Sequence, residues 1–436
     1  MKKIITLTSI ISSAFFASHA MAADLNEIYQ LSLTNDAELA AAKAKRSSGD
    51  YQVDIARAAL LPQVTLGADK VFSDTETDAG DIDYDTLSFN ATISQTLFNL
   101  NSWYTYQAAS ASGSVSDLEY MLSEQQLILR SAEAYFNVLR AKENLETAQA
   151  EEKAVKRQLE QTQQRFEVGL IAITEVHEAE ASYDLSYANL IGQEAALDIS
   201  YEALEQITGQ RFENLAHLRS DVEFSTPKKA ANEWVEAGLS KYAGIQLAQE
   251  GVNAAEYTRK AGWSNYAPVI NAQWSYTDGE QVVGSNVVGS NVVDGTTTSL
   301  ALTATIPLFA GGSNYAKAKQ AAARSTEASA NLDLQQRTVK NNIRSLYRKV
   351  QTDVLTVKAR NRATVSSRSA LEATETGYQV GTRNIVEVLN AQRNLFSAQR
   401  DYANARYDYI IDLLNLKFFA GSLAEADIQA LNAWLK

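Results

Sequence analysis

The chain has 436 residues, with 39 basic against 52 acidic, a net charge of −13 and no cysteine. Such acidity argues against nucleic acid as a partner. The missing cysteine removes disulfides, thiolate metal sites and a lipid-modified N-terminal Cys.

Residues 1–22 read as a signal peptide. Lys2 and Lys3 precede an apolar run from Ile4 to Ala17, and Ala20-Met21-Ala22 is a small-x-small cleavage site. The run is shorter than the ~20 residues a membrane-spanning helix needs. Cleavage after Ala22 would leave 37 basic against 52 acidic residues, a net charge of −15. No later stretch reaches 18 apolar residues, so no transmembrane helix is expected beyond it.

The elements that follow repeat one order. A helix (24–60) leads into a strand (63–72), a polar loop and a second strand (86–98). A very long helix (100–167), a glycine turn near 169 and a returning helix (173–207) complete a first repeat, 23–208. Residues 209–232 form a linker containing Pro227. The second repeat, 233–418, runs through a helix (233–266), strands 268–277 and 299–309, a long helix (312–378), a turn near 381 and a returning helix (384–418). Residues 419–436 are a tail. The four prolines stand at strand ends or in the linker, and none interrupts a helix, where one would cost about 3 kcal/mol.

The two halves are similar residue by residue. Val168-Gly169, Ile173, Glu175, Val176 and Ala179 return 212 positions later as Val380-Gly381, Ile385, Glu387, Val388 and Ala391. "LPQV" from Leu61 is echoed by "APVI" from Ala267, and "TLF" from Thr96 by "PLF" from Pro307. A repeat of this length implies a duplicated unit, not a solenoid.

A helix of 68 residues is roughly 100 Å long at about 1.5 Å per residue, more than a small globular core requires. In the returning helices Val176, Tyr183, Leu190, Leu197 and Leu204 recur every seven residues, as do Val388, Leu395, Tyr402, Tyr409 and Leu416. A sustained 3.5-residue period predicts coiled-coil packing.

The strands alternate. Leu87, Phe89, Ala91, Ile93 and Leu97 fall on one face, with Ser88, Asn90, Thr92, Ser94 and Thr96 on the other. Leu300, Leu302, Ala304, Ile306 and Leu308 do the same against Ser299, Ala301, Thr303 and Thr305. The first strand is weaker, because Lys70 interrupts its apolar face. About ten residues of apolar-out, polar-in alternation suit a transmembrane barrel strand. Four strands cannot close a barrel, and open edges are not tolerated in lipid. Copies of the chain must therefore pool them, and twelve strands from a trimer leave room for water where eight do not. The hairpin loops 73–85 and 278–298 would face outward, the second holding the "VVGSN" repeat.

The motifs "LLPQ", "AYFNVLRA", "QTQQRFEVGLIAITEV", "LEQITG", "GYQVGTRNIVEVLNAQ" and "YANARYDYI" resemble those of TolC-type outer membrane efflux channels, over essentially all of the chain after residue 22. The resemblance implies a mixed α and β membrane protein of a Gram-negative outer membrane. In it, a trimeric 12-stranded β-barrel continues into a long periplasmic α-helical barrel. It implies an exit duct for drugs, toxic small molecules or secreted proteins, served by a periplasmic adaptor and an inner-membrane pump or ABC exporter, with no cofactor and no metal. Val168, Gly169, Leu170, Val380, Gly381 and Thr382 would meet the adaptor. A periplasmic gate would link Tyr378 and Arg383 to Glu175 and Thr174, and Gln158 to Glu375. Glu387 and Asn390 would line the constriction, with an amide at the second position where the family carries an acid.

Two other classes fit the sequence less well. Against an enzyme, residues 23–436 hold two histidines, no cysteine and no glycine-rich phosphate loop, and His177 has Leu389 as its repeat mate, which favours packing over catalysis. A trimeric coiled-coil adhesin or periplasmic scaffold would share the rods but would need no constricted tip.

Overall fold

The structure, a computed structural model, describes residues 22–77, 80–283 and 291–436. The expected signal peptide, apart from Ala22, lies outside them, as do residues 78–79 and 284–290 of the hairpin ends.

The chain enters through α1 (Leu25–Asn35), whose N-cap Asp24 accepts from the Glu27 backbone N–H. At Asp36 the backbone turns to φ −67°, ψ 116°, and the same residue caps α2 (Ala37–Ala58) by accepting from Leu39 N–H. The helix expected over 24–60 is therefore two. Arg130 holds the buried Asp36 carboxylate, Nη2 to Oδ2 at 2.7 Å. The second half breaks alike: Tyr242, at φ −67° and ψ 120°, separates α5 (Ala231–Lys241) from α6 (Ala243–Ser264).

Each helix pair feeds a hairpin, β1 (Gln63–Thr77) with β2 (Gly80–Asn99), then β3 (Val269–Val283) with β4 (Asn291–Thr305). They form one antiparallel sheet in the order β1-β2-β3-β4. The strands run past their expected ends. Pairing continues from Gln63↔Ser94 to Thr77↔Gly80, so most of the expected loop 73–85 is strand, because alternating polar residues extend as readily as apolar ones. β4 instead stops at Thr305, two residues before Pro307, which has no N–H to give a ladder.

The register sorts the two faces. Val64, Ile93, Trp274 and Leu300 lie directly opposite one another on four successive strands. The next row, Thr65, Thr92, Ser275 and Ser299, is polar, and the last two hydroxyls approach to 2.7 Å. A register shift between Thr96 and Phe98 leaves Leu97 unpaired and brings Phe98 opposite Ile270 on the apolar face. Lys70 stays on that face but ion-pairs with Asp85 of β2.

From the sheet descend α3 (Leu100–Glu167) and α7 (Ser313–Gln379), which return as α4 (Ile173–Thr208) and α8 (Ile385–Phe419). Near the sheet, α2 and α6 flank α3, and α6 also packs on α7; further down, α3 lies between α4 and α8, and α8 on α7. The arc is open. Leu185, Ile191 and Ile199 of α4 are exposed at one edge, and Leu334, Leu355 and Val365 of α7 at the other.

The main core forms a waist, where Tyr135, Phe136 and Leu139 of α3 meet Val339 and Ile343 of α7 and Tyr407 and Ile410 of α8. The expected linker and tail are ordered there. Residue 23 pairs with Leu215, and Leu218 pairs with Leu435 beyond α9 (Glu425–Asn432). His217 and Lys436 exchange both backbone bonds, at 3.1 and 3.0 Å, and Tyr135 donates its hydroxyl to Ala216 O at 2.7 Å.

Candidate functional site: the helical tip

Both long helices end in the same turn. Gly169 and Gly381 sit at φ +76° and +77°, where a Cβ would strain the backbone. The N–H of the following residue reaches back five positions, Leu170 to Arg165 O at 2.9 Å and Thr382 to Gly377 O at 2.8 Å, which satisfies carbonyls the helix leaves open. Val168, Leu170 and Val380 around the turns are 70%, 72% and 69% exposed. Three large apolar side chains held in water at one end of a rod suit a docking surface.

Above the turns lies a second, much smaller core of Val155, Ala179, Ile385, Val388 and Leu389. Beside it opens a cleft of about 850 Å³, lined among others by Gln158, Gln161, Arg165, Glu375, Tyr378 and Gln392. The structure thus brings three expected gate residues, Gln158, Glu375 and Tyr378, to one cleft. Gln158 is buried, but Glu375 accepts from Gln392 Nε2 at 3.4 Å, and no Gln158–Glu375 bond forms. Tyr378 is held from above by the Arg165 guanidinium, 4.8 Å from the ring centre. Its hydroxyl and the Gln392 Oε1 are buried without a hydrogen-bond partner among the described residues.

The other expected links are not made within one chain. Arg383, in the turn just before α8, ion-pairs with Glu387 in the first turn of that helix and not with Glu175 or Thr174. An i,i+4 partner needs no second element to be positioned, and this local pair wins. Thr174 is exposed and Glu175 half-buried at the start of α4. The bond from Arg383, more than any other cause, holds the Glu387 carboxyl below its usual range. Asn384 supplies the cap, accepting from Glu387 N–H at 2.9 Å, and Asn390 is exposed one turn on.

Sequence patterns alone missed Arg165, Gln392 and Gly377. A Cβ on Gly377 would stand 2.6 Å from Arg383 Cγ, so the glycine lets the Arg383 stem cross α7. The available signal was a glycine two residues before the end of a long helix, where it costs about 1 kcal/mol against Ala. His177 also departs from expectation. It does not pack but is exposed, with Nδ1 3.1 Å from Glu180 Oε2.

Comparison with known proteins agrees with this architecture. The description "Outer membrane efflux protein" matches residues 28–210 and 237–422. The outer membrane protein TolC of Vibrio cholerae is 35% identical, covering 100% of this chain and 99% of that one. The alkaline protease secretion protein AprF of Pseudomonas aeruginosa is 27% identical over 95% of this chain and 88% of its own. Among solved structures, the Campylobacter jejuni CmeC outer membrane channel has the same fold at a TM-score of 0.81 and 18% identity, covering 94% of this chain and 89% of that one. The chain belongs to the outer membrane efflux protein family and serves, as that family does, as an outer membrane export duct.

Proposed function

We propose that three copies of the chain join head to tail into a closed duct gated at its helical tip. One observation carries this: the sheet and the helical arc are open at the same two sides. β1 and α2 form one side and β4 and α7 the other, so one ring of copies closes both. A repeated heterologous contact that closes gives a ring. Three copies supply twelve strands, with the apolar Val64–Ile93–Trp274–Leu300 row toward lipid and the Thr65–Thr92–Ser275–Ser299 row toward water. Eight strands would be filled by their own side chains. The repeats 23–208 and 233–418 are copies of one unit, supported by the helix pairs of 11 and 22 residues in both halves.

At the tip, Val168-Gly169-Leu170 and Val380-Gly381-Thr382 present the surface for a periplasmic adaptor, which connects an inner-membrane pump or ABC exporter. Gln158, Glu375, Tyr378 and Arg383 belong to the gate. Thr174 and Glu175, without side-chain partners among the described residues, are available to a neighbouring copy. Glu387 and Asn390 form the constriction, where one acid per chain is masked by Arg383. The duct carries out no catalysis, and its cargo is set by the pump it serves.

The test is the mass of the detergent-solubilised protein, followed by its conductance in a planar bilayer. Three chains and discrete conductance steps support the duct. A trimer that never conducts would favour a coiled-coil adhesin or scaffold.

A further inference from the structure

Far from the tip, within the waist, Asp353 of α7 faces Asp412 of α8 at hydrogen-bond reach. Asp412 is only 5% exposed. The Asp353 Oδ2 is buried with no hydrogen-bond partner among the described residues. The Lys349 ammonium, one turn before Asp353, lies 2.9 Å from both oxygens of Asp412, which leaves a single ammonium against two acids.

The surrounding groups do not relieve the pair. Asp408 of α8 adds negative charge but is bound by Arg140 of α3 at 2.8 Å. Glu133 of α3 accepts from Asn415 at 3.0 Å, and burial, then Asp412, raise its own affinity for a proton. Tyr409 of α8 donates away from the pair, to Ser225 O at 2.7 Å.

Two ionised carboxylates only accept hydrogen bonds, so nothing can join these facing oxygens. A single proton changes that, because one acid becomes a donor and the like-charge repulsion disappears. We propose that Asp353 and Asp412 share one proton and so form a pH-operated clasp between α7 and α8. Loaded, the clasp ties the two helices that carry the second tip turn. Emptied, it sets a half-buried negative charge on Asp353 against the buried one on Asp412 and loosens them.

Burial first, then the bond and charge of Asp412, push the Asp353 carboxyl up from the ordinary 3.8 to about 7. A folded-state affinity raised in this way stabilises fully below the ordinary value and is lost as pH rises through about 7. The waist is therefore held more firmly in mild acid than in mild alkali, whatever the number of copies in the assembly.

The experiment is infrared difference spectroscopy of the full-length protein in detergent between pH 5.5 and 8.5, with hydrogen exchange of the α7 and α8 backbone. One protonated-carboxyl band per chain, titrating near pH 7 and absent from Asp353→Asn and Asp412→Asn, supports the clasp. Intrinsic-rate-corrected protection around residues 350–355 should fall about tenfold between pH 6 and 8 in wild type. In Asp353→Asn, whose amide is a permanent donor, it should stay level. No such band in wild type, or an undiminished one in Asp353→Asn, overturns the proposal. If a variant fails to fold, the wild-type titration decides alone.

Discussion

The Arg165 guanidinium covers the Tyr378 ring at 4.8 Å and so joins the last turn of α3 to the last turn of α7. The tyrosine therefore acts through its face, while its buried hydroxyl bonds to nothing among the described residues. A half-buried contact of this kind contributes about 1 kcal/mol. The hydroxyl, left without a partner, costs about 1 kcal/mol or more.

Tyr378→Phe should accordingly leave the thermal midpoint of the folded assembly unchanged or slightly raised. Arg165→Gln should lower the stability of the tip by about 1 kcal/mol. Both are read by hydrogen exchange at the ends of α3 and α7. A tip that loosens with Tyr378→Phe and not with Arg165→Gln would reverse the assignment.

The Arg383–Glu387 ion pair masks the acid of the proposed constriction. Arg383→Ser should unmask the carboxylate and strengthen block by multivalent cations, as should Asn390→Asp, while Glu387→Ala weakens block. Because Arg383 holds the Glu387 affinity for protons down, the pair stabilises the tip above the ordinary glutamate value of about 4.3 and is lost as pH falls through the lowered one. Block in Arg383→Ser should then fade at a higher pH than in wild type. Titrating block against pH in the two proteins checks this.

The tip glycines separate backbone strain from crowding. Gly381→Ala meets no atom within 4 Å but must hold φ near +77°, a cost of about 1–2 kcal/mol. Gly377→Ala keeps a helical backbone but displaces the Arg383 stem. It should therefore reproduce the cation-block change of Arg383→Ser, whereas Gly381→Ala should not. Equal block in both alanine variants would remove the link between Gly377 and Arg383.

The sheet makes a test by face. Leu302, 71% exposed on the apolar side, should tolerate arginine poorly, at a cost of about 2–4 kcal/mol if it lies near mid-membrane. Arginine at neighbouring Thr303 should cost far less. The yield of membrane-inserted protein for the two variants measures the difference.

The long helices were legible almost to the residue, because local signals bound them. Asn99 caps α3, the glycines at 169 and 381 end α3 and α7, and prolines stand clear. The break at Asp36 was readable in principle, since an aspartate accepting from Leu39 N–H is an ordinary helix start. Tyr242 gave no such sign. The waist pairing of residues 214–219 with Ala23 and with residues 434–436 joins segments about 190 to 220 residues apart, which no local pattern encodes. At the tip, the glycine turns and the Glu387 position were visible, and so was the i,i+4 spacing of Arg383, whose local partner outcompeted the expected distant one.

The most direct test of a gated duct is single-channel conductance of Arg165→Ala combined with Arg383→Ser in a planar bilayer. The double variant removes the α3–α7 contact and the masking pair while leaving both glycine turns intact. The assembly mass should stay that of three chains, and conductance should rise well above the small steps of wild type. Wild-type conductance in the double variant, or no steps from either protein, would contradict a duct closed at this tip.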